Sequence, residues 1–256
     1  MILTSKQMKR CLSTISPKAF YPIVLSALSN RESLSVVRVA DGEKILLDNC
    51  KDANGEFTPI TQLDDFWLQR YGVKGITKEE LYRRIIKAGT DCTYFAPSIS
   101  GVLMPDYALW DYFPERGVYI DNFFVNDWTY DMKTALFKEA GHILLIHGNV
   151  NLADSMQLRA QANLGVKVSY ISLTNWSESE EVIKKASRNT APLVVFSGGP
   201  ASKYISNEIA TTGCVPKVVL DLGAAAQHWT FQHLPADRDK AVAFHKDWSS
   251  KNTTTV

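Results

Sequence analysis

Ser35-Val-Val-Arg-Val-Ala-Asp-Gly-Glu43 is a run of mostly β-branched apolar residues that stops in two carboxylates separated by a glycine. Val36, Val37 and Val39 predict a strand of a parallel sheet that is buried on both faces. Asp41-Gly42-Glu43 then follows the carboxyl end of this strand, where open α/β sheets bind ligands. Both carboxylates can reach one divalent cation if the chain turns at the glycine, and a solvated Asp-Gly turn is the alternative.

Around this strand the sequence predicts an alternation of strands and helices. Further strands are expected at 92–97, 142–146, 167–173, 192–196 and 215–222, with helices at 77–89, 152–164 and 201–212. This order predicts an α/β fold with a doubly wound, mainly parallel sheet and helices on both faces, which is a Rossmann-like arrangement. Residues 1–230 are expected to form one domain, and residues 231–256 a partly helical tail with a disordered end.

The composition limits the kinds of partner that the protein is expected to bind and the compartment in which it is expected. Lys and Arg together number 28 against 27 acidic residues, so the chain lacks the strong positive charge of a non-specific nucleic-acid binder. The start of the chain lacks the apolar core of a signal peptide, and no stretch approaches the roughly 18 apolar residues of a membrane span. We therefore expect a cytoplasmic protein without a membrane span. Its four cysteines form no C-x-x-C pair, which argues against a zinc knuckle or a disulfide framework.

Two further strand ends carry residues that suit ligand chemistry. Ser197-Gly-Gly-Pro-Ala-Ser-Lys203 follows a buried strand and opens a helix, so its backbone N–H groups and helix N-terminus suit a phosphate. An ordinary tight turn is the alternative, because parallel sheets need many of them. His147 and Asp221 also end predicted strands and should lie on the same edge as Asp41. A histidine there can act as a metal ligand or a base, although many histidines only make hydrogen bonds within the protein and have no role in function.

Residues 104–131 contain an unusual density of aromatic residues interleaved with Asp and Asn. Rings beside carboxylates and amides suit a sugar, which offers an apolar face to a ring and hydroxyls to hydrogen-bond acceptors. The same composition also fits an aromatic packing layer or the surface of a homodimer. The sequence leaves these interpretations open.

Three segments together resemble a known family. Arg38-Val-Ala-Asp-Gly-Glu43, Val194-Val-Phe-Ser-Gly-Gly-Pro-Ala201 and Val218-Val-Leu-Asp-Leu-Gly223 are similar to motifs of the GT-D fold glycosyltransferases, a bacterial group first described as a domain of unknown function. The resemblance spans about residues 33–230. The chain departs from the pattern at Ala40, where the family usually has glycine, and after Gly223, where Ala224-Ala-Ala-Gln precedes His228.

The resemblance implies a metal-dependent glycosyltransferase that moves a hexose or pentose, such as glucose, from a UDP-sugar to a hydroxyl of a glycan or glycoprotein. Alternatives are transfer to a modified base in DNA and a non-catalytic nucleotide-binding module of the same fold. By resemblance, manganese or magnesium is bound by Asp41 and Glu43, with His228 as a further ligand. The residues predicted to bind the donor are Arg38, Ser197, Gly198, Gly199, Lys203 and Asp221. The candidates for a general base are Asp106, Asp127, Asp131 and His147.

Overall fold

The computed structural model describes residues 9–10, 12–59, 72–98 and 111–229, without the side chains of Asp41, Ala224, Gln227 and His228. The predicted tail at 231–256 lies outside the described residues, as do Asp106 and the part of the aromatic segment before residue 111.

A six-stranded parallel sheet forms the centre of the described fold. Its strands, in chain order, are β2 (Leu34–Val39), β3 (Tyr94–Pro97), β5 (His142–His147), β6 (Lys167–Ser172), β7 (Leu193–Ser197) and β8 (Val218–Asp221). In space they lie in the order β3-β2-β8-β7-β5-β6, and every neighbouring pair is parallel. Two short strands, β1 (Thr14–Ile15) and β4 (Tyr119–Ile120), pair in parallel outside this sheet. The prediction of a doubly wound parallel sheet is confirmed.

Helices cover both faces because neighbouring strand residues point to opposite sides of the sheet. Val37 and Val194 pack against α2 (Asp41–Asp48), α3 (Lys78–Asp91), α7 (Ser179–Arg188) and α8 (Ala201–Thr212). Val36 and Val195 pack on the other face against α1 (Pro17–Ser29), α4 (Phe124–Asp127), α5 (Tyr130–Ala140) and α6 (Val150–Leu164). None of the helices within the described ranges has the length and apolar character needed to cross a bilayer.

Two predicted elements differ from the structure for local physical reasons. Asp41-Gly42-Glu43 forms the first turn of α2, since the Glu43 carboxylate accepts a hydrogen bond from the Ala40 backbone N–H at 2.9 Å and caps the helix. The last strand begins at Val218 and not at residue 215. Pro216 lies in that excluded stretch, and proline cannot donate to a strand ladder. A 3₁₀ segment, η1 (Trp176–Glu178), precedes α7, and a second, η2 (Gly223–Trp229), follows β8.

Candidate ligand-binding edge of the sheet

Arg38 lies on β2 and its guanidinium is held by oxygen atoms from two other segments. Its Nε donates to the Asn122 carbonyl oxygen at 3.0 Å and to the Asn122 side-chain oxygen at 2.9 Å. One terminal nitrogen donates to the Leu222 carbonyl oxygen, and the other to the Asn122 side chain. A guanidinium has five N–H groups, so each terminal nitrogen keeps a second N–H for a ligand. The charge therefore stands in one orientation at the carboxyl edge of β2 and β8.

Gly223 and Asn122 make room for this arginine and position it. A Cβ at Gly223 would lie 2.9 Å from a terminal nitrogen of Arg38, and the φ of Gly223 is +52°. Both the close contact and the backbone conformation therefore disfavour a side chain at this position. Asn122 is 3% exposed, and its side-chain nitrogen donates to the Val39 carbonyl oxygen at 3.1 Å. Sequence reasoning missed Asn122, because no motif marks a single Asn inside an aromatic-rich segment.

The guanidinium stays charged in this setting. Burial lowers the pKa of Arg38, and the carboxylates of Asp221, Glu43 and Asp121 oppose that shift. Arginine begins from so high a pKa that it does not lose its proton in proteins. Arg38 is thus a fixed cation that suits an anionic ligand.

Asp221 ends β8 and is fully buried, with donors on both carboxylate oxygens. One oxygen accepts from the Lys203 ammonium at 2.6 Å and from the Arg38 backbone N–H at 3.3 Å. The other accepts from the Gly223 backbone N–H at 3.2 Å and from the Ser202 hydroxyl at 3.3 Å. Asp221 therefore joins β2, α8 and the start of η2, and it has no face open to a ligand.

Lys203 is 4% exposed and pairs with two carboxylates. Besides its contact with Asp221, its ammonium lies 3.4 Å from a carboxylate oxygen of Glu43 and 3.3 Å from the Ser202 hydroxyl. Burial alone would lower the pKa of Lys203, but the charges of Asp221 and Glu43 outweigh it and the pKa is raised. The ammonium of Lys203 is thus surrounded by three protein oxygens, and its predicted contact with a phosphate stays a prediction.

The glycine turn between β7 and α8 combines a packing requirement with an exposed backbone. A Cβ at Gly198 would lie 2.4 Å from the side chain of Leu173, so Gly198 is needed for packing. Gly199 is exposed and adopts φ +57°, which is the left-handed region that favours glycine. No side chain caps the N-terminus of α8 at Pro200. The turn therefore leaves Gly199 and the helix N-terminus as the part that suits a phosphate.

His147 and Ser197 lie side by side, because they are register partners at the ends of β5 and β7. The Nδ1 atom of His147 accepts a hydrogen bond from the Asn149 backbone N–H at 2.7 Å. Burial lowers the pKa of His147, which favours the neutral ring. With Nδ1 occupied as an acceptor, the ring proton belongs on Nε2, so this geometry favours a hydrogen-bond donor over a base.

The remaining candidates separate into two groups. Asp127 ends α4, and Asp131 lies in the first turn of α5, which runs back to the amino edge of the sheet before β5. The first turn of α5 is therefore directed toward the carboxyl edge. Asp41 is the first residue of α2 and His228 belongs to η2, but both side chains lie outside the described part of the structure. Their predicted metal contacts stay predictions.

Two rings of the 104–131 segment, Phe124 and Trp128, form a packing layer with Trp229, whereas Tyr112 and Tyr130 are half-buried. Trp128 is fully buried, and its indole N–H donates to the Pro17 carbonyl oxygen at 2.9 Å. Its ring centroid lies 5.0 Å from that of Phe124 and 6.0 Å from that of Trp229. For these rings the sugar-pocket interpretation is wrong, because buried rings present no face to a ligand.

Comparisons with protein-family models, with curated proteins and with solved structures gave no match. The geometry of the edge therefore carries the functional argument.

The described residues do not by themselves fit a metal ion. Among them no three His, Cys, Asp or Glu side chains group closely enough to hold one. Glu43 and Asp221 share the Lys203 ammonium, so a divalent cation between these two carboxylates would face a positive charge.

Proposed function

We propose that this protein is a glycosyltransferase that takes its sugar from a nucleotide-sugar donor, with UDP as the carrier. The observation that supports it best is the fixed guanidinium of Arg38 at the carboxyl edge of the sheet, with N–H donors left for an anion. The diphosphate of a nucleotide sugar is such an anion, and Arg recognises it in a planar, two-point geometry. The resemblance of the segments around Arg38, Gly199 and Asp221 to GT-D glycosyltransferases supports the same proposal.

Residues at this edge of the sheet can perform the steps of a sugar transfer. Arg38 binds the diphosphate and stabilises the negative charge that it gains, while the Gly199 turn adds backbone N–H donors. The bond between the anomeric carbon and the diphosphate oxygen breaks, and its electron pair leaves with UDP. The acceptor hydroxyl oxygen bonds to that carbon, and its proton passes to a carboxylate, for which Asp127 and Asp131 are the candidates.

No step of this proposal passes through a metal ion, because Glu43 and Asp221 are engaged by Lys203. Binding of manganese or magnesium is a question for measurement. For the acceptor, we favour a hydroxyl of a glycan or glycoprotein, since a formal net charge of +1 gives little attraction to DNA.

A second candidate is a nucleotide-binding module that performs no transfer. The pairing of Glu43 with Lys203 favours it, because in the resembling family the carboxylates of the segment that corresponds to Asp41-Gly-Glu43 bind the metal and the donor. The two candidates share nucleotide binding and differ in turnover.

The test is a thermal-shift and calorimetry series with UDP and UDP-sugars, each with and without manganese. A ligand at about 100 times its dissociation constant stabilises the folded state by about 2.7 kcal/mol. Arg38→Lys keeps the charge but loses the planar fork, and we expect it to weaken UDP binding about tenfold or more. Arg83→Lys, at an exposed site on α3, is the control and should bind UDP like the unmodified protein. A protein that UDP does not stabilise contradicts both candidates.

Turnover then separates the two candidates. A labelled UDP-sugar is incubated with a panel of glycans, glycoproteins and DNA containing hydroxylated bases. Transfer to a member of the panel supports the transferase and names the acceptor class. UDP binding without transfer or donor hydrolysis supports the binding module.

A further inference from the structure

The two outermost strands of the sheet are β3 and β6, and the outer side of β3 is protected. β3 has four residues and ends at Pro97, and β4 packs beside it. Arg116 donates to the carbonyl oxygens of Cys92 and Thr93 at 2.7 and 3.2 Å, just before the strand begins. Short outer strands, proline and charged side chains are the usual means by which proteins prevent a sheet from adding a strand.

The outer side of β6 lacks these protections in the described part of the structure. The strand has six residues without proline, and its one charged residue, Lys167, is the first. The backbone N–H groups of Lys167 and Leu173 donate to carbonyl oxygens at the start and end of β5. Because alternate residues of a strand direct their backbone groups to opposite sides, those of Val168, Tyr170 and Ser172 point outward. The strand therefore offers a regular row of donors and acceptors.

The outward groups are arranged symmetrically about Tyr170. A second β6 in antiparallel orientation would pair Tyr170 with its own copy and Val168 with Ser172. Each such pair exchanges two backbone hydrogen bonds, so every outward N–H and C=O group of the strand gains a partner. This register corresponds to a two-fold axis through Tyr170, perpendicular to the sheet, which gives a closed dimer.

The helix α7 packs on β6 and presents charged residues toward the same outer side. Val182 and Ala186 are buried against the sheet, and the Ser187 hydroxyl lies 2.9 Å from a hydroxyl of α8. With 3.6 residues per turn, Glu181 and Lys185 lie on the side of α7 away from α8, which is the outer side of β6. They form an exposed ion pair at 3.5 Å.

The charges of α7 suit the two-fold arrangement. The first turn of the helix is acidic, and Lys185 and Arg188 make its last turn basic. The axis through Tyr170 places α7 antiparallel to its copy on one face of the sheet, so the acidic half of each helix meets the basic half of the other. Such complementarity selects a partner and its orientation. On the opposite face, α6 also packs on β6 and carries two exposed apolar side chains, Val150 and Leu158, at 53% and 72%.

We propose that this protein forms a symmetric dimer through the outer side of β6, with a second copy of the chain as the partner. The two six-stranded sheets join into one, and α7 of each copy contacts α7 of the other. β2, which carries Arg38, lies four strands away. The proposal therefore goes beyond the proposed function and does not depend on it.

The first test is the molar mass in solution, measured by light scattering over a series of protein concentrations. We expect twice the 28.6 kDa of one chain. Ser172→Pro removes an outward N–H at an exposed position that the single chain does not use, so it should leave thermal unfolding nearly unchanged and weaken the dimer about tenfold or more. A monomer at a concentration on the order of 100 µM overturns the proposal.

The second test exchanges charges on α7. Glu181→Lys brings like charges together across the axis and should weaken the dimer about tenfold, whereas the double variant with Lys185→Glu restores opposite charges and should dimerise like the unmodified protein. Glu79→Lys is the matched control, because Glu79 forms the same kind of exposed ion pair, with Arg83 of α3, away from β6. It should not change the dimer.

The outcomes separate this surface from any other. A dimer that Ser172→Pro and Glu181→Lys leave unchanged overturns the assignment to β6, and so does a loss in Glu181→Lys that the double variant does not restore. If Ser172→Pro fails to fold, the charge exchange decides alone. Weakening by both single variants with recovery in the double variant supports the proposal, whether or not the protein binds UDP.

Discussion

Lys203 and Lys133 are almost equally hidden, at 4% and 5% exposed, but they lie in regions of opposite character. Lys203 belongs to the edge cluster, which we define as Arg38, Glu43, Lys203 and Asp221, where two cations meet two carboxylates. Lys133 lies under the aromatic layer, with its ammonium 5.2 Å from the Trp229 ring centroid and no ion pair among the described residues. The pKa of Lys203 is raised by its carboxylates, whereas burial lowers the pKa of Lys133 to about 8. The direction in which the pKa of a buried lysine shifts therefore depends on the charges beside it and not on burial alone.

The comparison implies that the aromatic layer stabilises the fold and that the edge cluster fixes geometry. Trp128 tests the first half. Trp128→Ala removes a fully buried ring and a hydrogen bond, and should lower the free energy of unfolding by about 4 kcal/mol. Urea denaturation measures it, with Trp128→Phe as a control that keeps most of the ring contacts. A loss below about 1 kcal/mol would mean that the ring does not belong to the core.

Lys203→Met tests the other half of the comparison. It leaves Glu43 and Asp221 buried without their shared cation, and removal of one partner from a buried ion pair costs about 3 kcal/mol or more. The matched control is Lys44→Met, which breaks a more exposed pair with Asp48 on α2 and should cost about 0.5 kcal/mol. If the two variants lose equal stability in urea, the edge cluster is no more than a surface ion pair.

Lys133→Met should change the free energy of unfolding in the opposite direction and stabilise the protein by about 2 kcal/mol at pH 7. It removes a buried charge and loses one cation–π contact. The pKa of Lys133 is lowered on folding, so the unfolded chain binds more protons between about pH 8 and 10.5. Stability gained from this residue therefore rises with pH through that window. The advantage of the variant should shrink toward pH 10.5, and an advantage that is constant with pH would contradict the assigned cause.

Local patterns predicted the sheet but not the contacts between its loops. The apolar spacing at 201–212 and the glycine that follows it are local signals, and they predict a helix with the bounds observed for α8. The contacts of Arg38 with Asn122 and of Lys203 with Asp221 join residues 84 and 18 positions apart, and no spacing rule relates them. The aromatic segment could not be interpreted from composition, because a packing layer and a sugar pocket use the same residues. Only burial separates the two.

Gly199 gives the smallest expected effect and connects stability with the proposed binding. Its φ of +57° disfavours any residue with a Cβ, so Gly199→Ala should cost about 1 kcal/mol in urea denaturation. Asn tolerates this backbone region better than Ala, so Gly199→Asn is the control for strain and should cost less. If the exposed backbone of this turn binds the diphosphate, a bulky side chain should also obstruct it, and Gly199→Val should weaken UDP binding beyond its effect on stability. Equal UDP affinity in Gly199→Val and the unmodified protein, measured by calorimetry, would remove the glycine turn from the donor site and leave Arg38 as the group that binds the diphosphate.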